Sequence, residues 1–161
     1  MSTVNAGDAF VRGDPASRNF KLENSPFFLM NRAASVYALA MERALRAVGA
    51  DIPRWRVLML AYERGPLSVG SIAEHAVIKL STTTKVVHRL RDEGLVKLRR
   101  SRQDARVTEV TLAAAGQRAV ALVRAAASGI YQRAFHDVSA AEIRTLNGLL
   151  ARIHANLRRH S

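Results

Sequence analysis

The chain has 161 residues, of which 48% are hydrophobic and 24% charged, which indicates a folded protein rather than a disordered one. It has no cysteine, which excludes disulfides, zinc–thiolate sites and thiol redox sensing, and no apolar run near the ~18 residues of a membrane span. The 25 basic residues against 13 acidic ones give a formal net charge of +12, which favours a polyanionic partner. Because the N-terminus is polar and lacks a signal pattern, we expect a cytoplasmic protein without membrane contact.

The first third of the sequence predicts an arm and a long helix. Residues 1–24 lack periodicity and predict a flexible N-terminal arm. Ser25-Pro26 is typical of a helix start, and the apolar run that follows predicts a helix up to Gly49. The apolar residues of this helix cover more than one side, which indicates burial from several directions, and a second subunit could supply part of that cover.

Three short helices follow, and each has a recognisable start at Pro53, Ser68 or Ser81. The third runs to about Glu93 and is followed by two predicted strands, at 95–100 and 106–112, the second of which is rich in β-branched residues. Two long helices, at 113–134 and about 140–159, complete the chain, and the last begins with a capping box at Ser139 and Glu142. The predicted fold is mainly α with a small β-hairpin wing, which is the order of a winged helix-turn-helix.

The segment 81–93 predicts a helix with one apolar and one basic side. Thr83, Val86, Val87 and Leu90 share the inward side, and Ser81, Thr82, Lys85 and Arg89 share the outward side, with His88 at its edge. Small hydroxyls can contact phosphates and long basic side chains can reach base edges, so the pattern favours a helix that enters the major groove. For this stretch alone, an ordinary amphipathic surface helix is the alternative.

Positive charge is concentrated on this helix and the hairpin after it. Between residues 85 and 106 there are eight basic residues and three acidic ones. One of the acids, Asp104, lies two residues before Arg106, where its carboxylate could hold the guanidinium across the turn. An arginine held at the hairpin tip could enter the minor groove, and Arg102 is a further candidate DNA contact.

Asp104-Ala105-Arg106, followed by five residues and Leu112, resembles the wing signature of the MarR family of winged-helix regulators. The segments STTTKVVHRLRDEGLV (81–96) and SVGSIAEHA (68–76) are similar to the recognition helix of that family and the helix before it. The resemblance covers about 25–160. Ala113 departs from it, because the family usually has a threonine there that caps the next helix, and Ala105 stands where arginine is frequent.

The resemblance implies a homodimer that binds a pseudo-palindromic operator in double-stranded DNA. A winged helix-turn-helix domain at 51–112 would contact the DNA, and a helical dimerisation domain would comprise 25–50 and 113–161. It also implies a repressor that a small ligand releases. A sequence-tolerant architectural DNA-binding protein without a ligand is the alternative function.

We expect neither an enzyme nor a resident cofactor. The sequence has no Gly-rich phosphate loop, no HExxH and no G-x-S-x-G, and its five histidines lack a metal-ligand spacing, so no catalytic or metal residue is predicted.

Ligands of the family commonly bind between the dimerisation helices and the DNA-binding lobe. By that resemblance the ligand region would include Tyr37 and Met41, with Arg54 and Arg56 nearby. Within it we predict that the ligand contacts Phe28, Asn31, Arg32, Ser35 and Trp55. Aromatic residues beside an arginine suit an aromatic carboxylate bound to Arg32, or its CoA thioester. The alternative is that the aromatic residues belong to the core and that Arg32 is a surface base.

Overall fold

The computed structural model describes residues 12–101 and 103–159. Its elements are α1 (Pro26–Arg46), α2 (Ile52–Arg64), β1 (Leu67–Ser68), α3 (Val69–Ala76), α4 (Leu80–Asp92), β2 (Val96–Arg100), β3 (Thr108–Leu112), α5 (Ala114–Ala134) and α6 (Ala140–Arg159). The predicted fold class, mainly α with a hairpin wing, is confirmed. The chain divides into two compact units, one that ends at Ala127 and one that begins at Ser128. Within the described ranges, no helix is long and apolar enough to cross a membrane.

The predicted N-terminal arm falls only partly within the described residues. Residues 1–11 lie outside them, so their flexibility stays a prediction. Residues 12–24 form hydrogen-bonded turns and a short 3-10 helix at Leu22–Asn24, and the backbone N–H of Lys21 donates to the carbonyl of Arg12 at 3.0 Å. The part of the arm next to α1 is therefore folded.

Local hydrogen bonds determine where these helices begin. One of the two predicted caps is confirmed and the other is wrong. Ser68 Oγ accepts from the backbone N–H of Ser71 at 3.0 Å, so the predicted cap of α3 is confirmed. The prediction that Ser81 caps α4 is wrong, because the helix already begins at Leu80 and its N-terminal flanking residue, Lys79, makes no side-chain cap. The carbonyl of Lys79 accepts from Thr83 N–H at 2.9 Å, which places Ser81 inside the first turn.

The sheet has three antiparallel strands in the order β1-β3-β2. β2 and β3 form the predicted hairpin, with Val96 opposite Leu112 at its base and Arg100 opposite Thr108 near its tip. β1 was not predicted, because two residues are too few to show an alternating pattern. It pairs with the other edge of β3 and ties the chain before α3 to the hairpin.

The core of the first unit is built around α4. The predicted inward side of this helix is confirmed, since Thr83, Val86, Val87 and Leu90 are all buried. The buried hydroxyl of Thr83 donates to the carbonyl of Lys79 at 3.2 Å and so has a partner. The residues that pack together come from α2, α3, α4, the hairpin and α5: Val57, Leu58, Ile72, Val86, Val87, Leu90, Val96, Val110 and Val120.

Two glycines allow the chain to turn and pack at the base of the hairpin. Gly94 follows the end of α4 with φ 71°, a left-handed conformation that glycine adopts without a Cβ clash, and Leu95 N–H then donates to Leu90 O at 2.8 Å. Gly116 lies in α5 against the start of β2, where an added Cβ would overlap the carbonyl oxygen of Leu95. The close approach of α5 to the hairpin therefore requires glycine at 116.

The second unit comprises the end of α5 and α6. The rings of Tyr131 and Phe135 pack with centroids 4.7 Å apart. The predicted capping box is confirmed, because Glu142 Oε2 accepts from Ser139 N–H at 2.8 Å and Ser139 Oγ accepts from Glu142 N–H at 3.3 Å. The Ser139 hydroxyl, which donates to Glu142 Oε2 at 2.6 Å, and the Ser139 N–H together hold the pKa of Glu142 below its ordinary value. None of the α6 residues is buried, and its exposed leucines are Leu146, Leu149, Leu150 and Leu157.

We expect Gly116→Ala to lower the free energy of unfolding by about 1–3 kcal/mol, because the added methyl group meets a backbone carbonyl that moves only if the hairpin moves. Gly70→Ala is the matched control, since it also lies in a helix but its Cβ would meet only Ser68 Oγ at 3.9 Å. Denaturant unfolding followed by circular dichroism measures both. Equal effects of the two variants would show that the packing of α5 on the hairpin is not tight.

Candidate functional site

The outward side of α4 carries the predicted DNA contacts. Ser81, Thr82, Lys85, His88 and Arg89 are all exposed, on the side opposite the buried residues. Because Lys79 supplies no side-chain cap, backbone N–H groups of the first turn point outward without a capping side chain and can meet phosphate oxygens. This side of α4 can therefore approach a DNA duplex with hydroxyl, amide and cationic groups.

A groove of about 550 Å³ lies between α4 and the hairpin. Its walls include Thr84 and His88 from α4 and Arg106 and Thr108 from the hairpin. His88 and Arg106 were predicted as separate contacts, and the structure brings them to the same groove. Thr84 was not predicted, and its hydroxyl donates to Leu80 O at 2.9 Å.

The wing tip differs from its predicted arrangement. Asp104 Oδ1 accepts a hydrogen bond from the backbone N–H of Arg106 at 2.9 Å, and the carbonyl of Asp104 accepts from Val107 N–H at 2.9 Å. The prediction that the carboxylate holds the guanidinium is therefore corrected: Asp104 shapes the turn, as an aspartate does when it bonds the amide two residues on. Arg106 itself is exposed, and Arg102 lies outside the described residues.

Acidic neighbours pair with several of the arginines in this region. Arg99 Nε contacts Glu109 Oε2 at 3.2 Å across the hairpin, and Arg91 Nη2 contacts Asp92 Oδ1 at 2.7 Å. Arg54 of α2 forms an ion pair with Glu93 at the end of α4. By contrast, Lys85, Arg100 and Arg106 form no ion pair with another residue in 12–101 or 103–159. The charge left for a polyanion is thus on the outer side of α4 and the wing.

A second cavity, of about 420 Å³, lies beside α2 and the end of α3. Its lining residues are Tyr37, Trp55, Arg56, Met59, Leu60, Glu63, His75, Ala76 and Val77. The indole Nε1 of Trp55 is buried and has no hydrogen-bond partner in the described part of the chain. Burial raises the pKa of Tyr37, which the nearby Arg56 cation opposes only in part, so its hydroxyl stays protonated near neutral pH and can donate.

Of the five predicted ligand contacts, only Trp55 lines this cavity. Phe28 instead lies under the guanidinium of Arg32, at 5.6 Å, and Ser35 Oγ donates to Asn31 O at 2.8 Å. The reason is helical geometry: Tyr37, the α1 residue that lines the cavity, is nine residues or about two and a half turns from Phe28, on the opposite side of α1. The repeat of Trp55, Met59 and Glu63 at every fourth position was the sequence signal for the α2 wall.

Comparison with known proteins decides the family. Residues 51–108, from the start of α2 to the wing, match the sequence model of the MarR family. The chain is 38% identical over 144 residues to the HTH-type transcriptional repressor IacR of Pseudomonas putida. The alignment covers 89% of this chain and 86% of IacR. The chain belongs to the MarR family. It is therefore a transcriptional regulator rather than an enzyme, as expected.

Solved structures share the fold of this MarR-family chain at lower identity. CouR from Rhodococcus jostii RHA1, bound to p-coumaroyl-CoA, is 22% identical with a TM-score of 0.75, and the match covers 83% of this chain and 94% of that one. BpsR from Bordetella bronchiseptica, whose DNA binding is regulated by 6-hydroxynicotinic acid, is 21% identical with a TM-score of 0.73, covering 84% and 96%. These likenesses show the fold.

We expect Asp104→Ala to weaken DNA binding about fivefold to tenfold, because it removes a hydrogen bond of ~1 kcal/mol that shapes the wing turn. Asp104→Asn keeps an oxygen that accepts from Arg106 N–H but has no charge, so its affinity should stay close to that of the parent. Fluorescence anisotropy with one labelled DNA fragment at fixed salt compares them. If asparagine is as harmful as alanine, the charge of Asp104 matters and its proposed role in the turn is wrong.

Proposed function

We propose that this protein is a homodimeric repressor that binds a pseudo-palindromic operator and leaves it when a small aromatic anion binds. The main support for DNA binding is the groove between α4 and the wing, which has His88 and Arg106 on its walls. A helix that reads the major groove and a wing arginine that enters the adjacent minor groove would together span one half-site. A regulator of chromosomal DNA acts where that DNA lies, which in a bacterium is the cytoplasm.

Exposed apolar side chains support the homodimer. The leucines of α6 are exposed, as are Phe27, Val36 and Leu39 of α1. Clusters of large exposed apolar residues mark association surfaces, and identical subunits most often pair about a two-fold axis. We therefore propose that 25–50 and 113–161 form the dimerisation domain, which would present two α4 helices to half-sites about one turn of DNA apart.

We expect DNA fragments selected by the protein to share a pseudo-palindrome and to bind about 10³-fold more tightly than random DNA at physiological salt. Light scattering of the complex should show two chains of 17.7 kDa each. Arg89→Ala should change the preferred bases as well as the affinity. Arg43→Ala, which removes the same charge from α1, is the control. Equal binding of selected and random fragments would favour the alternative, a sequence-tolerant architectural protein.

The cavity beside α2 supports an aromatic anion as the ligand. Its volume of about 420 Å³ is typical of small-molecule sites, and Tyr37, Trp55, Met59 and Leu60 give it aromatic and apolar walls. Arg56 and Glu63 are seven residues apart along α2, about 10 Å, so a carboxylate would bind at the arginine end, away from the acid. The buried indole N–H of Trp55 can donate to the same carboxylate.

This proposal replaces the four predicted α1 contacts, Phe28, Asn31, Arg32 and Ser35, with Tyr37 and Arg56. The ligands of CouR and BpsR, an aromatic acyl-CoA and a heteroaromatic acid, support the chemical class. The cavity volume favours a free aromatic acid over its CoA thioester as the ligand. A CoA thioester could place only its aromatic acyl group inside, and its phosphates would lie on the basic surface outside.

Trp55 is the single tryptophan of the chain, so its fluorescence reports on this cavity directly. We expect 6-hydroxynicotinic acid, p-coumaric acid or benzoic acid to change the indole emission saturably and to release labelled operator over the same concentrations. The corresponding amides, which lack the carboxylate, are the matched controls and should bind at least about tenfold more weakly. Release of DNA without any change in Trp55 emission would place the ligand elsewhere.

A further inference from the structure

The turn between α3 and α4 has an unfavourable backbone conformation. Val77, its first residue, has φ 54° and ψ 50°, and among the described residues it is the only one other than glycine with a positive φ. A β-branched side chain is strongly disfavoured there, because its Cβ crowds the backbone. The Val77 side chain is 85% exposed, so its own packing does not compensate for the strain. Neighbouring groups must hold the turn in place.

Arg56 is one of those groups. Its Nη1 donates to the carbonyl of Ala76 at 2.8 Å, and Ala76 is the buried residue directly before Val77. This carbonyl belongs to the last turn of α3, where backbone acceptors lack a partner within the helix and a cation is favourable. The other bonds of the turn are local, from Val77 N–H to Glu74 O at 3.2 Å and from Ile78 N–H to Ala73 O at 3.0 Å. Among the hydrogen bonds of the described residues, the one from Arg56 is thus the one that joins this turn to α2.

The same side chain lines the cavity proposed to bind the ligand. From this we infer that Arg56 couples the cavity to the recognition helix: a carboxylate in the cavity draws the guanidinium away from Ala76 O, and the Val77 turn then relaxes. The inference rests on the proposed ligand. A guanidinium–carboxylate pair is charge-assisted and can be bidentate, so it is stronger than the single bond to a neutral carbonyl.

Relaxation of the turn would act on DNA binding through a very short connection. Only Ile78 and Lys79 separate Val77 from Leu80, the first residue of α4. When Val77 leaves the left-handed region, the direction of the chain into α4 changes, and the exposed hydroxyls of Ser81 and Thr82 move with the first turn. The ligand would therefore weaken the DNA contacts at the start of α4 without unpacking its buried side.

The first test uses the full-length protein without ligand or DNA. Amide hydrogen exchange of Val77 and Ile78, followed by NMR, should be about tenfold faster in Arg56→Gln than in the parent, because the turn loses its link to α2. Adding Val77→Gly should restore protection, since glycine adopts this conformation without strain. Adding Val77→Ala, which keeps a Cβ, should restore less. Arg64→Gln, another arginine of α2, is the control and should leave both amides unchanged. Unchanged exchange in Arg56→Gln would overturn the inference.

The second test adds benzoic acid, 6-hydroxynicotinic acid and p-coumaric acid as probes. For each protein, the concentration that half-releases the operator is divided by the concentration that half-saturates the Trp55 signal. This ratio should rise about tenfold in Val77→Gly, because an unstrained turn stays in place after Arg56 leaves. A ratio equal to that of the parent would refute the coupling. If no probe changes Trp55 emission, the proposed ligand fails, whereas the exchange test still decides whether Arg56 holds the turn.

Discussion

The burial of one side of α4 is the constraint on which the proposed DNA-binding surface depends. Thr83, Val87 and Leu90 are almost completely buried, and the helical period then places Ser81, Lys85 and Arg89 in solvent. Each buried valine or leucine stabilises the fold by roughly 1.5–3 kcal/mol, and whole domains are stable by only about 5–15 kcal/mol. Rotation of α4 about its axis would expose several such residues together and cost most of that stability. The core therefore fixes the direction of the proposed DNA contacts.

The wing is anchored to the same core, and this explains why two separately predicted contacts meet. Val96 and Val110 of the hairpin pack against the buried side of α4, and β1 holds the other edge of β3. The ion pair of Arg99 with Glu109 joins the strands near the tip, and Asp104 closes the turn through a backbone amide. His88 and Arg106 thus lie on one groove because a shared set of apolar contacts sets the distance between their elements.

The sequence predicted the features that depend on neighbouring residues, and it did not predict those that depend on contacts between distant parts of the chain. Periodicity predicted the long helices, the hairpin and the buried side of α4, because burial repeats with the geometry of the element. It missed β1, whose two residues form a strand only through pairing with β3, and it misplaced the start of α4, which depends on the carbonyl of Lys79. Four of the five predicted ligand contacts lie on α1 on the side away from Tyr37, so only Trp55 lines the cavity that we propose for the ligand.

The conformation of the α3–α4 turn is the feature that residue preferences predict least well. The strain energy of this turn is of the size that regulation by a ligand requires. A β-branched residue at 77 would ordinarily predict an extended conformation, and the left-handed one is held by the packing of α3 and α4 together with the hydrogen bond from Arg56 of α2 to Ala76 O. Strain of this kind costs about 1–2 kcal/mol, which is close to the ~1–3 kcal/mol of typical coupling between two binding sites. Unpacking α4 would cost several times more than a small ligand can offset. In the proposed mechanism, a ligand would therefore act at the turn while α4 stays folded.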